Sequence, residues 1–492
     1  MTSPNQSTNE KRLPRKEFST SEFLAFSSVM TIILLMAATV PLIPNDFFPY
    51  LRIGEEIIKN GHIPTTEFMT YTQFGNPADY LWWLPSLFFL GVYKLGGVTL
   101  TAIISMLCIG GYYSLLWLCL RELKTGLITS GLILILIASG GALFFTMRPQ
   151  VLTYPLFGLA ILIITRWQKG ENRHLWVLPL IALLWANIHG SFIVFFFILF
   201  PALIFGSGNR KRLALYTIIS LLSTLLNYYG FKVWTNIFSM VNNQTIRLNI
   251  TEWLPPVNQG WQLNLFFLGF LLIPVLTAMA KPKIKIIYWI WYLGFGWMAL
   301  TSVRYIIWFL PFEALLLSML INPFFKKHIG NSNRFQNHTL NVVIGVFFLI
   351  FPLALLPGIR NHWLKQSPPV YDYMTPVEAT IWLKENPQLP NNLWSDFNYA
   401  CYFAYELPQR KLFMSNRIQD LSIDLIADNY QISQAIYNWQ SLLEKYDINV
   451  VIPSIQLSSD LIKALSSSLD WREIYRDQQT VIFLRNQPLI NH

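Results

Sequence analysis

Eleven runs of apolar residues, each near the length of a membrane-crossing helix, constrain this chain before any other feature does. A bilayer core about 30 Å thick takes roughly 20 apolar residues per helix. Runs bounded by charged or turn residues lie at about 21–43, 98–120, 125–145, 150–167, 175–188, 190–206, 212–228, 262–280, 284–302, 303–321 and 339–358. The fifth is short and the 188–190 turn is tight, so that pair can also be drawn as re-entrant. Charged residues make up 13% of the 492 positions, about half of the roughly 25% in soluble domains, which excludes a soluble enzyme. Aromatic residues at 15% exclude a disordered chain. Of three cysteines, Cys108 and Cys119 share one span, so neither a disulfide framework nor a thiolate metal cluster can form. The expected class is an α-helical polytopic membrane protein of about 11 transmembrane helices.

The net charge of +10 is a topology signal and not a nucleic-acid signature. With residues 1–20 placed in the cytoplasm, inner segments hold 18 of the 25 Lys and Arg residues before position 359, and outer ones hold seven. The positive-inside rule then favours this orientation, and an odd number of spans delivers the C-terminal part to the extracytoplasmic side. The first span is too long for a signal-peptide core and lacks a small-residue cleavage site, so it is read as retained. The expected organisation is a cytoplasmic tail 1–20, a transmembrane domain 21–358 with a first outer loop 44–97, and an extracytoplasmic α/β domain 359–492. That last part holds 11 basic and 14 acidic residues. In it Thr375-Pro376-Val377-Glu378 reads as a capping box opening a helix through Lys384. Residues 412–415 and 449–452 read as strands, 421–446 as a long helical stretch, and 471–475 with 480–484 as a closing hairpin.

With that topology, the unusual polar residues of the membrane region collect at the outer ends of different spans: Asp46, Asp79, Arg148, Asn187, His189, Glu252 and Arg304. Cations that hold a phosphate and a carboxylate that takes a proton are the parts a reaction on a lipid-linked phosphate needs. Each residue also has a plainer reading. Asp46 can cap an amphipathic helix at 50–59, His189 can be a satisfied turn residue, Arg148 and Arg304 can anchor at headgroups, and Glu252 can sit in a solvated loop. Glu313 lies mid-span after Pro311, where an acid is costly.

The first outer loop contains Asp46-Phe47-Phe48-Pro49-Tyr50-Leu51-Arg52-Ile53-Gly54, Asn60-Gly61-His62-Ile63-Pro64 and Asp79-Tyr80-Leu81-Trp82-Trp83-Leu84. It resembles the GT-C superfamily of polytopic glycosyltransferases, in the branch of protein O-mannosyltransferases and lipid A aminoarabinose transferases. A bacterial group of GT-C-like proteins is similar over nearly the whole chain, through Arg148-Pro149-Gln150, residues 184–190, Asn227-Tyr228-Tyr229-Gly230, Glu252-Trp253 and the α/β tail. Two positions depart from the family pattern. Trp82 stands where an acidic residue would precede the Trp-Leu pair, with Asp79 as a substitute, and Ser415-Asn416-Arg417 stands in place of Asp-Gly-Arg.

The resemblance implies an inverting transfer of sugar from a polyprenyl-phosphate donor to an acceptor glycan, lipid or protein. It puts Asp46 in the place of the general base, with Asp79 the second catalytic candidate. Arg148, Asn187, His189, Glu252 and Arg304 are the substrate-binding candidates. The lipid-linked sugar is a co-substrate. Metal use varies among GT-C enzymes, but nothing here has metal-ligand spacing. Two other classes fit the apolar chain: a lipid or sugar transporter or flippase, and a non-catalytic assembly scaffold.

Overall fold

A computed structural model describes residues 19–45, 47–243, 251–280, 283–328, 337–365, 369–415, 417 and 421–486. Among the described residues seven helical stretches are long and apolar enough to cross a membrane: Thr20–Thr39 (α1), Trp83–Glu122, Leu127–Phe144, Pro149–Trp167, Gly260–Ala280, Val303–Pro323 and His338–Leu355. Val177–Ile188, Gly190–Phe205 and Ile286–Thr301 are shorter apolar helices. The remaining apolar run is also helical, over Arg210–Thr224, and opens on three basic residues.

Phe48–Asn60 (α2) is the expected amphipathic helix of the first loop, ending at Gly61 in the left-handed conformation. Trp83–Glu122 (α3) begins well before the span read from sequence. It is kinked at Gly96 and Gly97, and the Gly97 backbone, at φ 56° and ψ −147°, is one that L-residues with a Cβ avoid. Leu127–Gly141 (α4), Tyr154–Trp167 (α5), Val177–Ile188 (α6) and Ile193–Phe205 (α7) follow. Next come Arg210–Thr224 (α8) and Lys232–Asn242 (α9), a short amphipathic helix with Val233 and Ile237 buried. Gly260–Ala280 (α10), Ile286–Thr301 (α11), Ile306–His328 (α12) and His338–Ile350 (α13) complete the bundle.

Lipid gives helices no hydrophobic reason to associate, so packing detail must hold them together. The bundle core meets this with interlocked aromatics. Phe157 lies edge-on to Trp308 at 5.0 Å, and Trp308 contacts Trp185 at 5.5 Å and Tyr154 at 5.6 Å.

A second core is shared by the first loop and the tail. It includes Phe47, Phe48, Leu51, Phe89, Met147, Tyr399, Phe403, Leu412 and Ile452. A Cβ on Gly54 would lie 2.4 Å from the Ser86 carbonyl oxygen, so glycine is what lets α2 lie against α3. Backbone pairing joins the two parts as well, Leu42 with Val370 and Asp372, and Met69 and Tyr71 with Leu412. Arg360, at the start of the tail, is fully buried and donates to the carbonyls of Ala38 in α1, of Leu355 and of Pro369.

The tail sheet has the order β1-β2-β4-β3: Leu393–Ser395 (β1) runs parallel to Val450–Ile452 (β2), and Val481–Arg485 (β4) runs antiparallel to β2 and to Trp471–Arg476 (β3). Side chains alternate between its faces. Leu393, Val450, Ile452 and Ile482 face the core shared with the loop, whereas Trp394, Val451 and Phe483 face the helices Ile423–Ser433, Trp439–Lys445 and Ser459–Ser466.

The α/β reading and the closing hairpin match this sheet. The stretch expected as one long helix at 421–446 is two helices, separated where Ala435 and Tyr437 take positive φ. Residues 412–415 supply only isolated bridges at Leu412, to Thr70 and to Leu393 of β1, and β1 comes from a segment not read as a strand. Three-residue strands carry too little alternation to be legible without their neighbours. The helix expected after the capping box spans Val377–Glu385, with no side-chain bond at its cap.

Asp396 follows β1 and is buried, accepting from the Ser454 amide at 2.6 Å and the Ser458 hydroxyl at 2.8 Å. Burial pushes its carboxyl up to about 6 from 3.8, the two hydrogen bonds only partly opposing it. The folded chain thus holds this proton more tightly than the unfolded one. The neutral acid costs nothing below the ordinary carboxylate range, and the penalty grows as pH rises through about 6. A shift of this size is worth on the order of 3 kcal/mol. In thermal unfolding, wild type should lose stability relative to Asp396→Asn between pH 5 and pH 8. An equal gap at both values would show that Asp396 does not titrate there.

Candidate active site

At the end of the bundle that carries the tail, loops and helix ends enclose a pocket with roughly 580 Å³ of atom-free space, part of it open to solvent. His189, Gly190 and Ser191 come from the α6–α7 turn, Trp253 from the 3-10 turn Thr251–Trp253, Arg304 and Tyr305 from the 3-10 turn before α12, and Gln150 from the turn before α5. The buried side of α9, through Ile237 and Met240, and Trp82 supply apolar walls.

These loops are locked together. Ser302 donates to the Glu252 carbonyl at 2.8 Å, and the Val303 amide donates to the Leu254 carbonyl at 3.0 Å. The Arg304 guanidinium lies 4.4 Å over the Trp253 ring. Among the described residues no carboxylate forms an ion pair with it. Arg148 is buried and pairs with Glu252 at 2.5 Å. Burial works against the charge of Glu252, but Arg148 and then Arg304 outweigh it and hold the carboxyl below the usual carboxylate range.

His189 terminates α6 in an extended conformation, its Nδ1 accepting the Ser191 amide at 3.1 Å. Burial, reinforced by Arg304 and Arg148, holds the imidazole well below its ordinary value. It is therefore a neutral ring with its proton on Nε2, a hydrogen-bond donor and not a cation.

The residues singled out in the sequence divide into groups. His189 and Arg304 line the pocket, with the Arg148–Glu252 pair beside them. Asn187 is turned away into structure. Its amide donates to the Leu183 and Leu226 carbonyls and its oxygen accepts from Asn227, tying α6 to the turn after α8. Asp79 makes an ion pair with Lys232 at 2.6 Å, three residues before Trp82. Asp46 lies outside the described residues, and Phe47 beside it is fully buried.

Sequence reading missed the wall formed by α9, although Val233, Ile237 and Met240 recur at helical spacing. It named Arg417 only within a tail motif and gave it no role, because its partners Glu67, Asp79 and Tyr80 lie far away in sequence. Among the described residues no group of three His, Cys, Asp or Glu side chains is placed to hold a metal ion.

No family model matches the chain, and no curated protein sequence does. Solved structures do. The archaeal oligosaccharyltransferase AglB from Archaeoglobus fulgidus, in complex with an inhibitory peptide and a dolichol-phosphate, aligns with 97% of this chain and 75% of its own at TM-score 0.56 and 14% identity. ArnT from Cupriavidus metallidurans bound to undecaprenyl phosphate aligns with 94% of this chain and 98% of its own, at TM-score 0.50 and 13% identity. The mycobacterial arabinofuranosyltransferase AftD aligns with 95% of this chain and 42% of its own, at TM-score 0.57 and 10% identity. The fold is therefore that of the GT-C glycosyltransferases, polytopic membrane proteins. The likeness to ArnT covers nearly the full length of both chains.

Proposed function

We propose that this protein is a membrane glycosyltransferase that moves a sugar from a polyprenyl-phosphate donor to an acceptor glycan, lipid or protein on the extracytoplasmic side. The observation that carries this is the pocket: a guanidinium and a neutral imidazole donor sit at its polar rim, and its apolar wall continues into the bundle. On α7, Ile193 and Val194 line the pocket, and Phe197, Phe200 and Pro201, on the same face one and two turns further, line an apolar groove against Ile290, Gly294 and Met298 of α11. A headgroup phosphate at Arg304 with its isoprenoid chain along that groove fits this layout. Solved structures of the same fold carry a dolichol-phosphate and undecaprenyl phosphate.

In this reading Asp46, one residue before the buried Phe47 and two before α2, is the general base. It accepts the proton of the acceptor hydroxyl as that oxygen bonds to the anomeric carbon. The carbon–oxygen bond to phosphate breaks on the opposite face, inverting the centre, and the electron pair leaves with the polyprenyl phosphate. Arg304, with Arg148 behind it, holds the growing negative charge, and His189 Nε2–H donates a hydrogen bond. Glu252 keeps Arg148 in place, and Asp79 serves through Lys232 by fixing the segment that leads to Trp82. The tail, residues 359–492, packs on the first loop as an acceptor-binding or lid domain to the 21–358 membrane domain.

Glu313 favours a second reading, translocation without chemistry. It is fully buried in α12, its Oε1 lies where a Cβ on Gly269 would clash, and its Oε2 has no hydrogen-bond partner among the described residues. Proteoliposomes loaded with labelled polyprenyl-phosphate sugars and candidate acceptors separate the two. Label leaving the lipid with release of polyprenyl phosphate is expected. Label crossing the bilayer still attached to lipid would replace the enzyme reading with transport.

A further inference from the structure

Trp82 forms the wall of the pocket that lies against the α6–α7 turn. Its ring is 6.3 Å from the His189 imidazole, and a Cβ on Gly190 would come within 3.0 Å of it, so the wall has little room to move. Contacts within the first loop hold part of the extended segment 79–82: the Tyr80 hydroxyl lies 3.5 Å from the Thr66 carbonyl and the Glu67 carboxylate, and the Ala78 amide donates to the Thr65 carbonyl at 2.9 Å. Other restraints are long-range. The Tyr80 amide donates to the Tyr229 hydroxyl at 2.9 Å, and Lys232 pairs with the Asp79 carboxylate.

A further restraint comes from the tail. Arg417 is 8% exposed, and its Nη2 donates to the Asp79 carbonyl at 2.9 Å. Its guanidinium carbon stands 3.9 Å from the centre of the Tyr80 ring, and its Nε lies 4.0 Å from the Glu67 carboxylate. Glu67 in turn accepts from the Met69 and Thr70 amides, at the point where the loop pairs with Leu412 of the tail. All three contacts cross from tail to loop. Arg410, another buried tail arginine, acts differently: among the described residues it donates to tail carbonyls alone, those of Asn386, Leu389 and Pro390.

We infer that Arg417 is a positioning residue, through which the tail sets the Trp82 wall of the donor pocket. The inference rests on that pocket being the donor site. A planar guanidinium can stack on Tyr80 and donate in its own plane to Asp79 at once, which an ammonium cannot do. Loss of Arg417 frees residues 79–82 at their tail side and loosens the pocket without touching the reacting atoms. Any change in the tail, such as acceptor binding, has a direct route to the donor pocket through these contacts.

The test uses full-length protein in nanodiscs, comparing Arg417→Ala, Arg417→Lys and Arg410→Ala. Hydrogen exchange of the peptide covering 79–83, which contains the Tyr80 amide, should quicken at least tenfold in Arg417→Ala. It should quicken less in Arg417→Lys and stay at the wild-type rate in Arg410→Ala, whose defect is confined to the tail. Binding of undecaprenyl phosphate should weaken about tenfold in Arg417→Ala. Where transfer is measured, the donor KM should rise with kcat changed less than twofold. Unchanged exchange at 79–83 overturns the inference whatever the activity. Faster exchange with unchanged lipid-phosphate binding overturns the link to the pocket. Absence of transfer by wild type counts against the glycosyltransferase reading alone, since the exchange and binding arms still decide this one.

Discussion

Replacing Arg304 by alanine is expected to lower sugar transfer about 10²–10³-fold, the range measured when one pre-organised donor to a developing oxyanion is removed. The residue is poised for that role: it lines the pocket, stacks on Trp253, and makes no ion pair among the described residues. A lysine should restore only part of the rate, because an ammonium neither stacks in the same way nor offers two parallel N–H groups to a phosphate. Steady-state kinetics with a polyprenyl-phosphate sugar, read beside thermal stability, checks this. A rate within threefold of wild type at unchanged stability would remove Arg304 from the donor site. Arg148 is a poorer probe, since its removal leaves the Glu252 carboxylate unpaired beside the donor phosphate and mixes repulsion with lost attraction.

Asparagine at Asp46 is expected to cut transfer by about 10²–10⁴, the usual contribution of a positioned general base. Undecaprenyl phosphate binding should stay within twofold of wild type, because the donor phosphate is held elsewhere. The amide keeps the shape of the carboxylate and loses only its ability to take a proton. A pH–rate profile sharpens the result: the acidic limb of wild type should disappear in the residual activity of the variant. Activity near wild type would end the assignment of the base to Asp46 and direct attention to other carboxylates of the first loop.

Much of the membrane part was legible because its signals are local. Apolar runs, Pro and Gly punctuation, and the alternation of α2 depend on residues within a few turns of one another, and helices formed at every run. The collection of Arg148, His189, Glu252 and Arg304 near one end of the bundle was also legible, once the runs had been placed end to end. Their division of labour was not. Arg148 is 104 positions from the Glu252 it pairs with, and nothing near either residue marks the choice. Asn187 looked like its neighbour His189 in sequence, yet one is bound to backbone carbonyls and the other faces the pocket. His189 was a substrate-binding candidate, and burial, reinforced by Arg304 and Arg148, holds its imidazole well below its ordinary value. Asp79 was the second catalytic candidate, and its pairing with Lys232 was not visible in the sequence.

By itself, then, the sequence determined that the chain is a helical membrane protein with an α/β tail, and which few polar residues were available for chemistry. Hydropathy and helix punctuation act over short distances, so composition and spacing carry them. Only the tertiary structure decided which charges neutralise each other, that the first loop and the tail share one core, and that Arg417 reaches the segment leading to Trp82. Those outcomes depend on where packing brings distant segments together, and on the desolvation that makes a buried charge choose one partner.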